Sequence, residues 1–217
     1  PEYAVNASPD RGEVIHPKQP QIRIAATYFF GGEVAVRGGS ASQHCRAAAF
    51  RPPGLGPDWR VGTALDAATV DSGTIDLMDA AGKAAGTVTR RSPGRLQFVA
   101  PPLDPHGDPL RCVVSVSIAD ASYQRIGAET GYLQHPARYY LAAQIPKGTL
   151  EAGDALVLPV RAVTPEGQRV AAAGVKAQIE YRHDERIFVM KNGQRVFDRV
   201  EEQRDALPLC PLSLTAE

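Results

Sequence analysis

The sequence holds 217 residues, 43% of them hydrophobic and 22% charged, ordinary values for a chain that folds around a core of its own. Lysine plus arginine equals aspartate plus glutamate at 24 each, so no summed field draws the chain to a phosphate backbone or an anionic lipid surface, and nucleic acid is not expected as a partner. No run of residues approaches the roughly 18 apolar positions of a membrane span, and 20 Gly and 18 Pro are scattered in the way that suits many turns between short strands.

Taken in chain order, the first clear strand sets Ile22, Ile24 and Ala26 against Gln21, Arg23 and Ala25, the period-two alternation that turns one set of side chains to a core and the other to water. Gly38-Gly39-Ser40-Ala41-Ser42 reads as a flexible loop, and the stretch from Pro52 to Trp59 is rich enough in Pro and Gly to read as a surface loop. Asp79-Ala80-Ala81-Gly82 is a turn signal. Cys112, Val114, Val116 and Ile118 then alternate with Arg111, Ser115 and Ser117, Val113 being the exception. After a turn at Glu151-Ala152-Gly153-Asp154, a further strand sets Leu156, Leu158, Val160 and Ala162 on one face. Thr164-Pro165-Glu166-Gly167 has Pro where a type I or II turn fixes φ. Val175, Ala177, Ile179 and Tyr181 alternate with polar neighbours through Arg182, predicting a half-buried strand, with His183-Asp184-Glu185-Arg186 as a polar loop at its end. Lys191-Asn192-Gly193-Gln194, between Ile187-Phe188-Val189 and Val196-Phe197, predicts a hairpin with a type I′ turn. No window of twelve residues keeps a helical apolar stripe free of Gly and Pro, so the expected class is all-β, with antiparallel strands in a sandwich or barrel.

Displacing the chain by 136 positions lays Tyr3 on Tyr139, Ile22 on Leu158, Ile24 on Val160, Ala26 on Ala162, Gly31 on Gly167, and Val34-Ala35 on Val170-Ala171. Two copies of one module are implied. They divide the chain into residues 1–134 and 135–217, a boundary at which Pro136 pushes His135 toward an extended backbone.

Two stretches then carry a family resemblance. Tyr28-Phe29-Phe30-Gly31-Gly32-Glu33-Val34-Ala35, after the alternating Ile22 to Thr27, is similar to the opening of the third macroglobulin-like domain of α2-macroglobulins. His135-Pro136-Ala137-Arg138-Tyr139-Tyr140-Leu141, with the turns at 151–154 and 164–167 and the pair Val170-Ala171, resembles the start of the next domain in bacterial members. The resemblance implies two consecutive antiparallel β-sandwiches of macroglobulin-like, fibronectin III or immunoglobulin-like type. The second, short for a sandwich of about 100 residues, is expected to be completed beyond Glu217. It implies a non-catalytic scaffold piece of a broad-spectrum protease inhibitor, in the periplasm, at the cell envelope or outside the cell. Its partners are then the neighbouring domains of one parent chain and, through the whole protein, proteases. The family captures proteases with a bait segment and a thioester in a Cys-x-Glu-Gln motif. Here Cys45 is followed by Arg46-Ala47-Ala48, Cys112 by Val113-Val114-Ser115 and Cys210 by Pro211-Leu212-Ser213, so this segment is expected to lack the thioester.

No catalytic, cofactor-binding or metal-binding residue emerges. His16, His44, His106, His135 and His183 never form a close pair of ligands, and read as solvated or turn histidines. Adjacent His44 and Cys45 point to opposite faces of a strand, so only one of them belongs to a core. Cys45 and Cys112 fall in the same module and are candidates for a disulfide across its two sheets, two separate buried thiols being the alternative. A competing function class is an adhesin-like or carbohydrate-binding sandwich anchored on Trp59, Tyr139 and Tyr140. It suffers from an aromatic content of only 6%.

Overall fold

The structure is a computed structural model that describes residues 2–62, 69–77, 88–103, 107–144, 155 and 157–216. The turns predicted at Asp79 to Gly82 and Glu151 to Asp154 lie outside these residues, as does Leu156. Among the described residues there is no helix. The all-β class predicted from alternation is what the chain adopts.

The N-terminal block is two facing sheets. In one, β1 (Tyr3–Pro9), β3 (Gln21–Tyr28), β8 (Arg95–Val99) and β7 (Thr89–Ser92) follow in that order. In the other the order is β2 (Glu13–Ile15), β10 (Arg125–His135), β9 (Leu110–Ala119), β4 (Gly38–Ala47) and β6 (Thr69–Asp76). Ile22, Ile24, Ala26, Leu96 and Phe98 from the first sheet share one buried cluster with Cys112, Val114, Val116 and Ile118 from the second. The alternating residues thus face the core as the sequence requires, and Val113, the predicted exception, points outward. Tyr3 is fully buried, and its hydroxyl lies 2.8 Å from the Ile118 carbonyl and 2.7 Å from that of Gln124, tying β1 to the opposite sheet. Burial is the main cause that raises its pKa, with Asp120 adding to it.

Two expectations for this block need correction. Gly38 to Ser42 is not a flexible loop but the start of β4. Its glycines suit a crowded sheet, for a Cβ on Gly39 would stand 3.1 Å from Ile118 Cδ1 and 3.2 Å from the Ser117 carbonyl. Cys45 and Cys112 are bonded to each other, but across neighbouring strands of one sheet and not between the two sheets. They are direct partners in the β4 and β9 register, with Cα atoms 4.1 Å apart. Cys45 is the core member of the His44-Cys45 pair, and His44 faces solvent.

The C-terminal block begins without a break, since β10 runs through Gln134 to His135. Its main sheet is β13 (Arg169–Val170), β12 (Val160–Val163) and β11 (Tyr140–Gln144), and it gains a fourth strand, β5 (Trp59–Val61), from the N-terminal block. β14 (Ala172–Ala177) pairs with β17 (Cys210–Leu214), and between them rises a hairpin of β15 (Glu180–Lys191) and β16 (Gln194–Ala206). Asn192 and Gly193, with φ of 51° and 77°, make the type I′ turn that Asn-Gly predicted. The strand predicted from Val175 to Arg182 instead breaks at Gln178 and Ile179. Val175 is buried on β14, whereas Ile179 and Tyr181 are exposed, because the chain there leaves the sheet to enter the hairpin. The polar loop predicted at His183 to Arg186 is likewise the middle of β15: charges suit a ribbon with water on both faces as well as they suit a loop. Leu158 precedes β12 and is exposed.

The repeat inferred from a shift of 136 positions is present in the hydrogen-bonded register. Ala4 pairs with Thr27 and, 136 residues on, Tyr140 pairs with Val163. The bridge between Thr27 and Glu33 recurs as Val163 with Arg169. The turn repeats bond for bond: Gly31 N to Tyr28 O (3.0 Å) and Tyr28 N to Gly32 O (3.1 Å) become Gly167 N to Thr164 O (2.9 Å) and Thr164 N to Gln168 O (2.8 Å).

Candidate functional site

The residues that do more than fill a core gather where the two blocks meet. After Pro9 the chain turns into β2, whose Glu13, Val14 and Ile15 lie parallel to Leu133, Gln134 and His135 at the end of β10. The backbone bonds Leu133 N to Gly12 O and His16 N to His135 O, both 2.9 Å, extend the pairing. This fixes His135 at a depth that the sequence did not suggest: it is 1% exposed. Its Nδ1 lies 2.7 Å from the Tyr140 hydroxyl and its Nε2 lies 3.2 Å from Glu13 Oε2. The two ring nitrogens thus stand within hydrogen-bond distance of one oxygen from each block. Burial, with Glu13 and Asp108 as lesser causes, raises the Tyr140 pKa, so the hydroxyl keeps its proton. Phe50 closes the cluster, its ring centroid 4.8 Å from that of His135 and 5.3 Å from that of Tyr140.

Phe50 arrives on the Pro-rich stretch predicted as a surface loop. That loop is instead a clasp. Pro52 and Leu55 are buried, and Leu55 shares a cluster with Tyr140, Ala142 and Val163 of the second block, flanked by Phe50, Trp59 and Val61. Pro and Gly do exclude a strand interior over residues 52–57, but a loop without regular pairing still buries apolar side chains once a second surface covers it. The clasp ends in β5, where Trp59, Arg60 and Val61 pair antiparallel with Gln144, Ala143 and Ala142. The Arg161 guanidinium sits 3.4 Å from the Trp59 ring centroid. Backbone meets backbone at Gly167, where a Cβ would fall 2.0 Å from the Pro53 carbonyl oxygen.

On one side of the junction opens a groove of about 900 Å³, reaching from Asp10 and Lys18 to His135, Arg138 and Glu166. Its charges are mixed. The Thr164 hydroxyl, followed by backbone hydrogen bonding and by His135, holds the Glu166 carboxyl below the usual carboxylate range. The ring's hydrogen bonds run to Glu13 of the first block and Tyr140 of the second, so the cluster holds the two blocks in register.

Two anchors of the carbohydrate-binding alternative are spent on this junction and the third on the second block's own core. Trp59 lies under Arg161, Tyr140 is 5% exposed, and Tyr139 packs against the small cluster of Ala162, Ala172 and Val175. Of the residues singled out in the sequence, Tyr140 and Trp59 meet at the junction, while Cys45 and Cys112 lie in the N-terminal sheet. His135, expected as a solvated or turn histidine, is instead buried at the centre of the junction because β2 and Phe50 cover it. The nearest signal was its place in the His-Pro pair ahead of Tyr140, since Glu13 is 122 residues away in sequence.

No family model and no curated protein matches the sequence. Solved structures do. Over 99% of its length the chain is similar to Escherichia coli α2-macroglobulin in its native conformation, with 11% identity and a TM-score of 0.56. Over 100% it is similar to the E. coli protein activated by porcine elastase, with 12% identity and a TM-score of 0.58, and to Salmonella α2-macroglobulin reacted with methylamine, with 12% identity and a TM-score of 0.56. The likeness is one of fold. The chain spans 14%, 19% and 14% of the length of those three chains.

Proposed function

We propose that this chain is a non-catalytic scaffold segment of an α2-macroglobulin-like protease trap, made of two macroglobulin-like sandwiches that meet at Gln134 and His135. The observation that carries the reading is a fold likeness that covers 99–100% of the chain, and so both blocks together. A chance likeness of sandwiches would follow one block and lose register at the next. Residues 1–134 form one module and residues 135–217 the other, the second borrowing β5 from the first. The segment itself carries no Cys-x-Glu-Gln motif for a thioester. This segment's work is mechanical: the His135, Tyr140 and Glu13 bonds and the Leu55 clasp fix the angle between successive sandwiches, so that a cut in one part of the shell moves whole modules. The bonded pair Cys45 and Cys112 supports a periplasmic, envelope or extracellular setting, where disulfides persist.

The test is retention of protease by the parent protein. Mixed with elastase, the parent is expected to leave hydrolysis of a small peptide substrate intact while suppressing digestion of a large protein, and to hold the protease through gel filtration. Elastase that elutes free and digests both substrates alike refutes the trapping role.

A further inference from the structure

We propose that the β15 and β16 hairpin is a second clasp, which seizes the first strand of a following module of the same polypeptide as residues 48–62 seize β11. The inference rests on the scaffold reading above and adds to it the surface by which the segment engages its neighbour. Its ground is the internal repeat. In the N-terminal block the clasp is the connection between β4 and β6, which pair with each other. A shift of 136 carries Ser40 and Asp76, partners there, onto Lys176 and Leu212. Lys176 pairs with Pro211, one residue away, so β14 and β17 repeat β4 and β6. What lies between β14 and β17 is the hairpin. It holds in the second block the place that the clasp holds in the first.

The two connections share chemistry as well as place. The first clasp carries apolar side chains on an excursion from its own sandwich: Phe50, Leu55, Trp59 and Val61 find cover on the next block. The hairpin carries Phe188, Met190, Val196, Phe197 and Val200, between 40% and 67% exposed. Phe188 and Phe197 already meet edge to face, with centroids 6.0 Å apart. Among the described residues β15 and β16 pair only with each other. Strands of 12 and 13 residues reach about 40 Å at 3.3 Å per residue, and edges of that length are normally blunted or covered. The receiving end of the device is also present. β11, which takes β5, corresponds to β1, and β1 is an edge strand whose Asn6, Ala7 and Ser8 stand where Ala142, Ala143 and Gln144 stand in β11. The segment therefore carries a hairpin at one end and, at the other, a first strand that ends its sheet as β11 would without β5, the geometry of a module in a row.

Hydrogen exchange on two proteins decides it: the 217-residue chain, and the parent polypeptide extended through the residues that follow Glu217. Amides of 180–206 are expected to exchange at least about tenfold more slowly in the extended protein. Phe188→Asp with Phe197→Asp is expected to abolish that slowing there while leaving the melting temperature of the 217-residue chain unchanged. Equal exchange in the two proteins overturns the proposal. So does protection in the 217-residue chain that grows with concentration, which means pairing between copies. A parent that retains elastase with an unprotected hairpin sinks this inference alone, and one with a protected hairpin that retains none sinks only the trapping role.

Discussion

The clasp makes Gly167 intolerant of any side chain, and the repeat supplies its own control. Gly31 and Gly167 occupy the same turn 136 residues apart, with φ of 97° and 87°. An alanine at either position takes on the left-handed backbone, about 1–2 kcal/mol for a residue with a Cβ. At Gly31 nothing lies within 4 Å of the added carbon, whereas at Gly167 the Pro53 carbonyl oxygen lies at 2.0 Å and its carbon at 3.0 Å. Real Cβ contacts do not fall below 3.0 Å, so the Pro53 backbone must retreat by about 1 Å, taking Leu55 with it. Exposing a buried leucine side chain forfeits about 1.5–3 kcal/mol. Gly31→Ala is therefore expected to lower stability by about 1–2 kcal/mol, and Gly167→Ala by about 2.5–5 kcal/mol.

Trp59 is the chain's only tryptophan and belongs to the clasp, so its fluorescence reports the perturbed region directly. Urea melts followed at Trp59 and by far-UV circular dichroism should separate for Gly167→Ala, the fluorescence change coming first, and coincide for Gly31→Ala. Equal losses for the two variants, with coincident melts in both, refute the contact between Gly167 and Pro53 and with it the clasp.

Reducing the Cys45 and Cys112 bond releases a loop of sequence separation 67, about 4 kcal/mol by chain entropy. A melting temperature indifferent to dithiothreitol contradicts that. Tyr3→Phe removes a buried hydroxyl placed between two carbonyls and should cost about 1–3 kcal/mol, read by urea denaturation of the N-terminal block. Burial pushes the Tyr132 pKa up to about 12. A raised phenol pKa gives stability that is intact below the unfolded value near 10 and is lost as pH climbs through the folded one, about 2 kcal/mol by pH 12. Denaturation midpoints measured from pH 8 to 12 should fall only above 10, and Tyr132→Phe should flatten that fall.

Much of this fold is legible because alternation is a local property. Ile22, Ile24 and Ala26, or Cys112 through Ile118, reveal their buried face without knowledge of what covers it. The Asn192-Gly193 turn is legible for the same reason, as two residues carry the whole conformational demand. What the sequence hid depends on a surface supplied from afar. Ile179 and Tyr181 continue the alternation of β14 into a strand that has left the sheet, so period two alone did not say where the core stops. Leu55 sits in a stretch whose Pro and Gly describe the backbone correctly and say nothing of the neighbour that buries it. His135 is the sharpest case, because its partners are Tyr140 close by and Glu13 far away, and only the parallel pairing of β2 with β10 brings them together. The junction was thus invisible for a reason that also bears on its role. Each module specifies itself with short-range patterning, whereas the angle between modules is set by a few contacts of long sequence separation, so substitutions there are expected to alter how modules move together while leaving each sandwich folded.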